Sequence, residues 1–222
     1  MLLKTHTLLL LIFTSCSIFA QNRKILVSAS EPNAIILSNG QHMGTGTANV
    51  VVPKNGSIVV EVNAVGFLKS KQVFYNQKGM PKPPSTMHFQ LVEDDSFVAS
   101  VANDKANVDF TVEINSELSD VEAWKLAVSI VTDYFDVLEI ADRETNYLRT
   151  SWQTQTFANN TIRTRVILKA GSSGRSFKIK LVSEFSGKAG TSVKDDEAFK
   201  EWDRVLRRYA SLIQDFQARL KK

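Results

Sequence analysis

The stretch that decides the fold of the larger part of this chain is TIRTRVILKAGSSGRSFKIKLVSEF, residues 161–185. Apolar and polar side chains alternate through 161–170 and again through 175–185, as expected where successive side chains point to opposite faces of a sheet. The Gly-Ser-Ser-Gly sequence between these runs is typical of a hairpin turn. We therefore predict two antiparallel strands whose apolar residues face a core, namely Ile162, Val166 and Leu168 on the first strand.

The flanking residues predict the rest of an α+β domain over 97–222. Further strands are expected at 98–102, 108–114 and 147–157. Ser119 and Glu122 form a capping box that opens a helix through about Phe135. A long amphipathic helix is predicted from about Asp195 to Leu220 because apolar residues recur there at helical spacing: Phe199, Trp202, Leu206, Tyr209, Ile213, Phe216 and Leu220. The expected architecture is an antiparallel meander packed against two helices.

Residues 21–92 have a different character and predict a small antiparallel β-sandwich. Short β-rich runs alternate with turns, and Asn39-Gly40 and Asn55-Gly56 are strong hairpin signals. The expected strands are 25–29, 34–37, 47–52, 58–65, 73–75 and 87–91. Three prolines between 81 and 84 predict a stiff exposed loop that interrupts the last hairpin.

The first twenty residues are typical of an export signal. Lys4 precedes a short apolar run, and cleavage is expected after Ala20. The apolar run is too short to cross a bilayer, so we predict no transmembrane span. The single cysteine, Cys16, leaves an alternative open in which this residue is lipidated and becomes the first of the mature chain. In either case no cysteine remains for disulfides within the folded part.

Charge and composition exclude several functional classes. The chain is 43% apolar and 23% charged, which is typical of a folded soluble domain. Residues 21–92 carry seven Lys or Arg against two acidic residues, whereas 93–222 carry nineteen against twenty-one. The net charge of residues 21–222 is therefore only +3, which does not indicate nucleic acid binding. Histidine is absent after His88, which excludes a Ser-His-Asp triad and an ordinary zinc site in the second part.

Two stretches resemble known families. Residues 28–37, with Asn39-Gly40, 44–47, 54–56 and 65–67, resemble the PEGA-type surface module, a β-sandwich of exported bacterial proteins. This resemblance implies a structural or adhesive role, generally without catalysis. Residues 142–150 with Trp152 and 163–165 resemble, more distantly, the helix-grip domains of outer-membrane-assembly lipoproteins such as BamC, which implies an envelope context.

The best candidate for a functional surface is basic. Alternation along the predicted strands places Arg163, Arg165 and Lys169 on one sheet face, where residues of neighbouring strands can join them: Arg149 and Lys178 or Lys180. Such a face can bind phosphate or carboxylate groups. The alternative is a solvated face that nearby acidic residues neutralise. A second basic group contains Lys69 and Lys71, together with Lys78 and Lys82, and suits anionic glycans or lipid headgroups, or simply protects a sheet edge.

Other chemistry has weaker support. Acidic residues cluster after the first helix, and a glycosidase using Asp136 and Asp142 stays an alternative. His42 and His88 are better explained without a metal, and the sequence indicates no cofactor. We predict an exported protein, periplasmic or associated with the outer membrane, that acts as a non-catalytic binding or assembly component. The expected partners are envelope proteins or anionic glycan or lipid headgroups, and a lipid-binding carrier is a further alternative.

Overall fold

The computed structural model describes residues 21–221. This part of the chain is mostly β-sheet, with several antiparallel sheets and three α-helices, so the protein has a β-rich α+β fold. It divides into two compact units, and the division falls between Leu91 and Val92. The predicted export signal and Cys16 lie outside the described residues. Within 21–221, every helix is too short or too polar to cross a membrane.

The first unit consists of strands and turns. Its strands are β1 (Arg23–Ala29), β2 (Ile35–Ser38), β3 (Gln41–Thr45), β4 (Thr47–Val52), β5 (Ser57–Asn63), β6 (Ser70–Tyr75) and β7 (Thr86–Phe89). They form two sheets with the orders β4-β1-β7 and β3-β2-β5-β6. Alternate residues of both sheets meet in one core, as the strictly alternating burial along β4 illustrates.

Three expectations about the first unit need correction. Strand β3 was not predicted; it pairs with β2 across the Asn39-Gly40 turn, where both residues have positive φ. The prediction of a wholly antiparallel sandwich is wrong because β7 lies parallel to β1. The proline-rich loop does not interrupt a hairpin, since it leads from β6 in one sheet to β7 in the other. Because prolines lack the N–H that strand pairing needs, this segment stays outside both sheets and connects one sheet to the other.

The second unit contains a larger sheet and three helices. Its elements are α1 (Asp95–Val98), β8 (Ser100–Ala102), β9 (Asp109–Glu113), α2 (Asp120–Thr132), β10 (Leu138–Asp142), β11 (Tyr147–Thr150), β12 (Gln153–Thr156), β13 (Thr161–Ala170), β14 (Ser176–Phe185), β15 (Lys200–Glu201), β16 (Arg204–Leu206) and α3 (Leu212–Leu220). The sheet order is β10-β11-β13-β14-β15, with β12 also on β13 and β9 also on β14. Strands β8 and β16 form a separate pair.

One face of this sheet forms the core of the second unit. The inward side chains of β13 and β14 share a buried cluster with residues of α2 and α3. The predicted core residues of β13 are fully buried, and Phe135 stacks on Tyr209 with ring centroids 4.7 Å apart. The capping box is also present, since Ser119 N donates to Glu122 and Ser119 Oγ accepts from Glu122 N. Because both long helices cover this face, the opposite face is free to carry charge.

The prediction of one long final helix is wrong. Residues 200–201 form β15, residues 204–206 form β16, and within 195–220 only Leu212–Leu220 is α-helical. Trp202 N donates to Ser183 O at 2.9 Å, and Arg204 Nε donates to Ser100 Oγ at 2.8 Å. Long-range strand pairing therefore overrides local helix propensity. The prediction failed because short strands joined by 3₁₀ turns bury nearly the same apolar residues as one continuous helix would. The three- and four-residue spacing of these residues therefore does not distinguish the two structures.

Candidate binding site

Register places the basic residues of the meander on one face of the sheet, which we call the cationic face: Arg149, Arg163, Arg165, Lys169, Lys178 and Lys180. Lys169 pairs directly with Lys178 across β13 and β14, and Arg149 pairs with Ile167. Directly opposite residues share a face, and residues two apart on a strand do so too. The sheet thus brings together side chains that are separated by up to 31 positions in the chain.

Much of this charge is neutralised by acidic residues. Arg149 donates two hydrogen bonds to Glu139, at 2.8 and 3.0 Å, and this bonding raises the pKa of the arginine. Lys169 Nζ lies 2.8 Å from Asp109 Oδ2, and its hydrogen bond lowers the pKa of that carboxyl. Lys180 approaches the same carboxylate at 3.9 Å. For these residues the alternative expectation of a neutralised face describes the structure.

Arg163 is a structural residue, contrary to the expectation that a ligand could reach it. Only 3% of the residue is exposed. Its guanidinium donates to Glu184 Oε2 at 2.6 Å, to Val193 O at 2.8 Å and to Asp196 Oδ1 at 2.7 Å. A buried guanidinium with this many acceptors is satisfied within the protein. Arg163 therefore holds the loop before β15 against the sheet.

Aromatic rings connect Arg163 to Arg165, and we call this series the arginine ladder: Phe199, Arg163, Trp152 and Arg165. The Arg163 Cζ atom lies 4.1 Å from the Phe199 ring centroid and 4.2 Å from that of Trp152. The Arg165 Cζ atom lies 4.1 Å from the Trp152 centroid. These distances are within the range of cation–π interactions. The ladder holds both arginines in fixed positions on the cationic face.

Arg165 differs from Arg149 and Arg163, the other two arginines of the cationic face, because it lacks an acceptor. Within residues 21–221 its side chain makes no hydrogen bond and no ion pair, and its Nε is buried without a partner. Burial lowers the pKa of Arg165, although an arginine keeps its charge at neutral pH. An unsatisfied buried donor typically costs about 1–3 kcal/mol. The two terminal Nη groups of Arg165 are not fully buried and also lack hydrogen bonds, so they are the donors to which a ligand can supply oxygen acceptors.

Arg165 lines an open depression of about 500 Å³ on the same face. The other lining residues are Glu139, Ser151, Trp152, Val193, Lys194 and Asp196. The two carboxylates of this lining are already engaged, Glu139 with Arg149 and Asp196 with Arg163. Arg165 and Lys194 thus leave the depression suited to an anionic group.

A bulge between β11 and β12 places Trp152 in this lining. The chain advances four residues from Arg149 to Gln153, while the paired segment of β13 advances only three, from Ile167 to Thr164. An extra residue of this kind shifts which side chains face a given surface. The prediction of one continuous strand at 147–157 missed the bulge. The sequence marks this position only by a change from the mixed run Tyr147–Thr150 to the polar run Gln153–Thr156, and the extra residue itself appears only in the pairing with β13.

The acidic alternative does not gather into a comparable site. Asp142 accepts hydrogen bonds from Glu144 N, Thr145 N and Thr145 Oγ1 in the turn that follows β10. These bonds, of which the Thr145 hydroxyl contributes most, lower the pKa of Asp142. Glu139 lies on strand β10 and pairs with Arg149.

The candidate residues of the first unit are more exposed. Lys69 and Lys71 both approach Glu61, at 3.8 and 3.2 Å. His42 lies on β3 and His88 on β7, in different sheets, and Ser28 Oγ lies 3.0 Å from His88 Nδ1. Within residues 21–221, no group of three or more His, Cys, Asp or Glu side chains is placed to hold a metal ion.

Comparison with known proteins adds no relative. No family model matches the chain, and no curated protein matches it. The PEGA-type and helix-grip resemblances of the sequence therefore stay predictions.

Proposed function

We propose that this protein is an exported bacterial envelope component that binds its partners without catalysis, through the cationic face. The observation that carries the proposal is Arg165, a guanidinium held on Trp152 and left without an acceptor in an open depression. The expected partners are envelope proteins, with anionic glycan or lipid headgroups as the other ligands of matching chemistry. The site of action is the periplasm or the outer membrane.

The resemblances of the sequence fit this proposal. The two sheets of the first unit, packed on one core, are what a PEGA-type sandwich would need, and the second unit pairs a meander with helices on one face, as in a helix-grip domain. Modules of both kinds are typical of surface attachment and assembly. The signal-like residues 1–20 support export.

The two alternative functions, an enzyme and a lipid carrier, have less support. A glycosidase requires a carboxylic acid whose pKa is raised, whereas the pKa of Asp142 is lowered by its turn. The depression beside the turn after β10 has a polar lining, which consists of Asp120, Arg143, Glu144 and Asn146. A carrier would need an apolar cavity between the sheet and its helices. In this structure, side chains of α2, α3 and the sheet pack against one another at that position.

The test is crosslinking in intact native cells with full-length protein carrying either Arg165→Gln or Arg143→Gln. Both changes remove one positive charge, but Arg143 lies in an exposed turn and its side chain has no partner in the described chain. We expect Arg165→Gln to lose specific crosslinked partners while the thermal transition stays close to that of the wild type. Arg143→Gln should retain these partners.

Equal recovery of partners by the two variants would overturn the role of the cationic face. The same experiment tests export, since mass spectrometry of the recovered protein identifies its N-terminal residue. A chain beginning at Gln21 supports cleavage of the signal after Ala20. A full-length chain that retains Met1 would contradict export by this route.

A further inference from the structure

The edge of strand β12 is open, and it begins at the depression that Arg165 lines. Strand β10 covers the edge of β11 only, because its pairing ends with Leu138 opposite Thr150 and Ser151 N donates to Val137 O. From Gln153 to Thr156 the strand pairs with β13 on one side alone. The other side of β12 therefore presents unpaired main-chain groups.

The register shows which groups these are. Phe157 N donates to Asn160 O at the hairpin, so the Gln155–Ile162 and Gln153–Thr164 pairs are the hydrogen-bonded ones. The N–H and C=O groups of Thr154 and Thr156 consequently point away from β13. In the part of the chain that the structure describes, no other group bonds to them. Both residues are exposed.

β12 also lacks the protection that the other edges of this sheet carry. Charged residues lie on each of those strands: Glu139 and Asp142 on β10, Asp109 and Glu113 on β9, and Lys200 and Glu201 on β15. The sequence of β12 is Gln-Thr-Gln-Thr, without charge or proline. Proteins commonly protect exposed edges with charge or proline, and an edge without either can accept an additional strand.

An added strand could not continue past Ser151, because β10 already occupies that position along the edge. A strand that ends there places its terminus beside Ser151 and Trp152, which line the same depression as Arg165. A terminal carboxylate supplies the oxygen acceptors that the guanidinium lacks. For the carboxyl end to lie at Trp152, the added strand must run antiparallel to β12.

We propose that the C-terminal segment of a partner protein adds antiparallel to β12 through Thr154 and Thr156, with its free α-carboxylate bound by Arg165. This inference rests on the proposed function and names its ligand. Main-chain hydrogen bonds to the two threonines supply affinity without regard to side chains, and the arginine selects a chain terminus. Lys194, in the same lining, adds positive charge near the carboxylate.

The test uses the mature chain, residues 21–222, and short synthetic peptides that match the C-termini of exported proteins of the native cell. Each peptide is made as a free acid and as a C-terminal amide, and binding is measured by fluorescence anisotropy. We expect a subset of free acids to bind and their amides to bind at least about tenfold more weakly, since a hydrogen-bonded charge is lost. Arg165→Gln should produce a similar loss, whereas Arg143→Gln should not.

Peptide backbone variants test the strand itself without changing the protein. N-methylation of alternate peptide amides removes donors from one edge of the added strand only. Methylation in one register should abolish binding, and methylation in the other register should leave it nearly unchanged. The variant Thr154→Pro should also lose binding, and its thermal transition shows whether the protein is still folded.

Equal binding of acids and amides would overturn the inference, and so would equal binding of both N-methylated registers. Failure of every free acid to bind, while vesicles containing phosphatidylglycerol bind in an Arg165-dependent manner, would also overturn it and would assign the site to lipid phosphate. Loss of partners by Arg165→Gln in cells, with no peptide binding in solution, would overturn strand addition and leave the proposed function standing.

Discussion

The arginine ladder of the second unit and the lysines beside Glu61 in the first unit carry the same charge in very different settings. Arg163 is 4% exposed at its side chain and is held by two carboxylates, a carbonyl and two aromatic rings. Lys69 and Lys71 are 63% and 58% exposed at their side chains and share one carboxylate. A count of basic residues in the sequence treats the two groups alike.

The difference shows that burial, rather than charge, decides what a cation contributes. A buried guanidinium has lost its contacts with water, so each of its interactions within the protein matters. Removing the guanidinium leaves its acceptors without their donor. Exposed ion pairs contribute little because water and salt screen them. The same logic separates Arg163, which is satisfied and structural, from Arg165, which is partly buried and free to bind.

The largest expected effect comes from Arg163→Met. This change leaves Glu184 and Asp196 without their cation and removes both contacts to aromatic rings, so we expect the free energy of unfolding to fall by about 3 kcal/mol. Urea denaturation measures this, with Arg143→Met as the control for loss of an exposed arginine. A loss below about 0.5 kcal/mol would mean that the ladder is not structural.

An intermediate effect is expected at the Lys169–Asp109 pair. The pKa of Asp109 is lowered in the folded state, chiefly by its hydrogen bond to Lys169. The pair therefore stabilises the protein above about pH 3.9, the ordinary pKa of Asp, and this contribution is lost as the pH falls through the lower folded value. Both side chains are more than a third exposed, so screening limits the contribution to about 1 kcal/mol at most.

Lys169→Met tests this pair directly. The pKa of Asp109, followed by NMR titration, should rise towards its ordinary value, and the acid side of the stability profile should become flatter. Lys178→Met is the matched control, because Lys178 acts on Asp109 through charge alone and more weakly. An unchanged pKa in Lys169→Met would show that Lys169 is not the main cause.

The smallest effect is expected from Lys71→Met. Glu61 keeps Lys69 nearby, and both lysines are solvated, so the free energy of unfolding should change by no more than about 0.5 kcal/mol. Urea denaturation at low and high salt measures this. A loss comparable to that of Arg163→Met would remove the distinction between the two regions.

Local patterns predicted the elements that local physics controls. The capping box at Ser119 and Glu122 began α2, and alternation correctly separated the core residues of β13 from its basic residues. The Asn39-Gly40 turn is a hairpin turn because both residues adopt positive φ, which few other residues do at low cost. These features depend on neighbours within a few residues.

Features that depend on distant residues were missed. The region 195–211 has a helical spacing of apolar residues, but its backbone bonds to Ser183, Ser100 and their strands. The parallel position of β7 and the bulge before β12 likewise follow from strands elsewhere in the chain. Trp152 therefore entered the candidate site only through the structure.

The sequence by itself determined that basic side chains of β13 share a face, since alternation along a strand is a local geometric property. Only the tertiary structure decided that Arg163 is saturated and Arg165 is not, although they stand two residues apart on one strand. Glu184, Val193 and Asp196 reach the first guanidinium, and the second receives only the ring of Trp152. Which acceptors surround a buried cation is set by long-range packing, and for that reason the available arginine could not be chosen from the sequence.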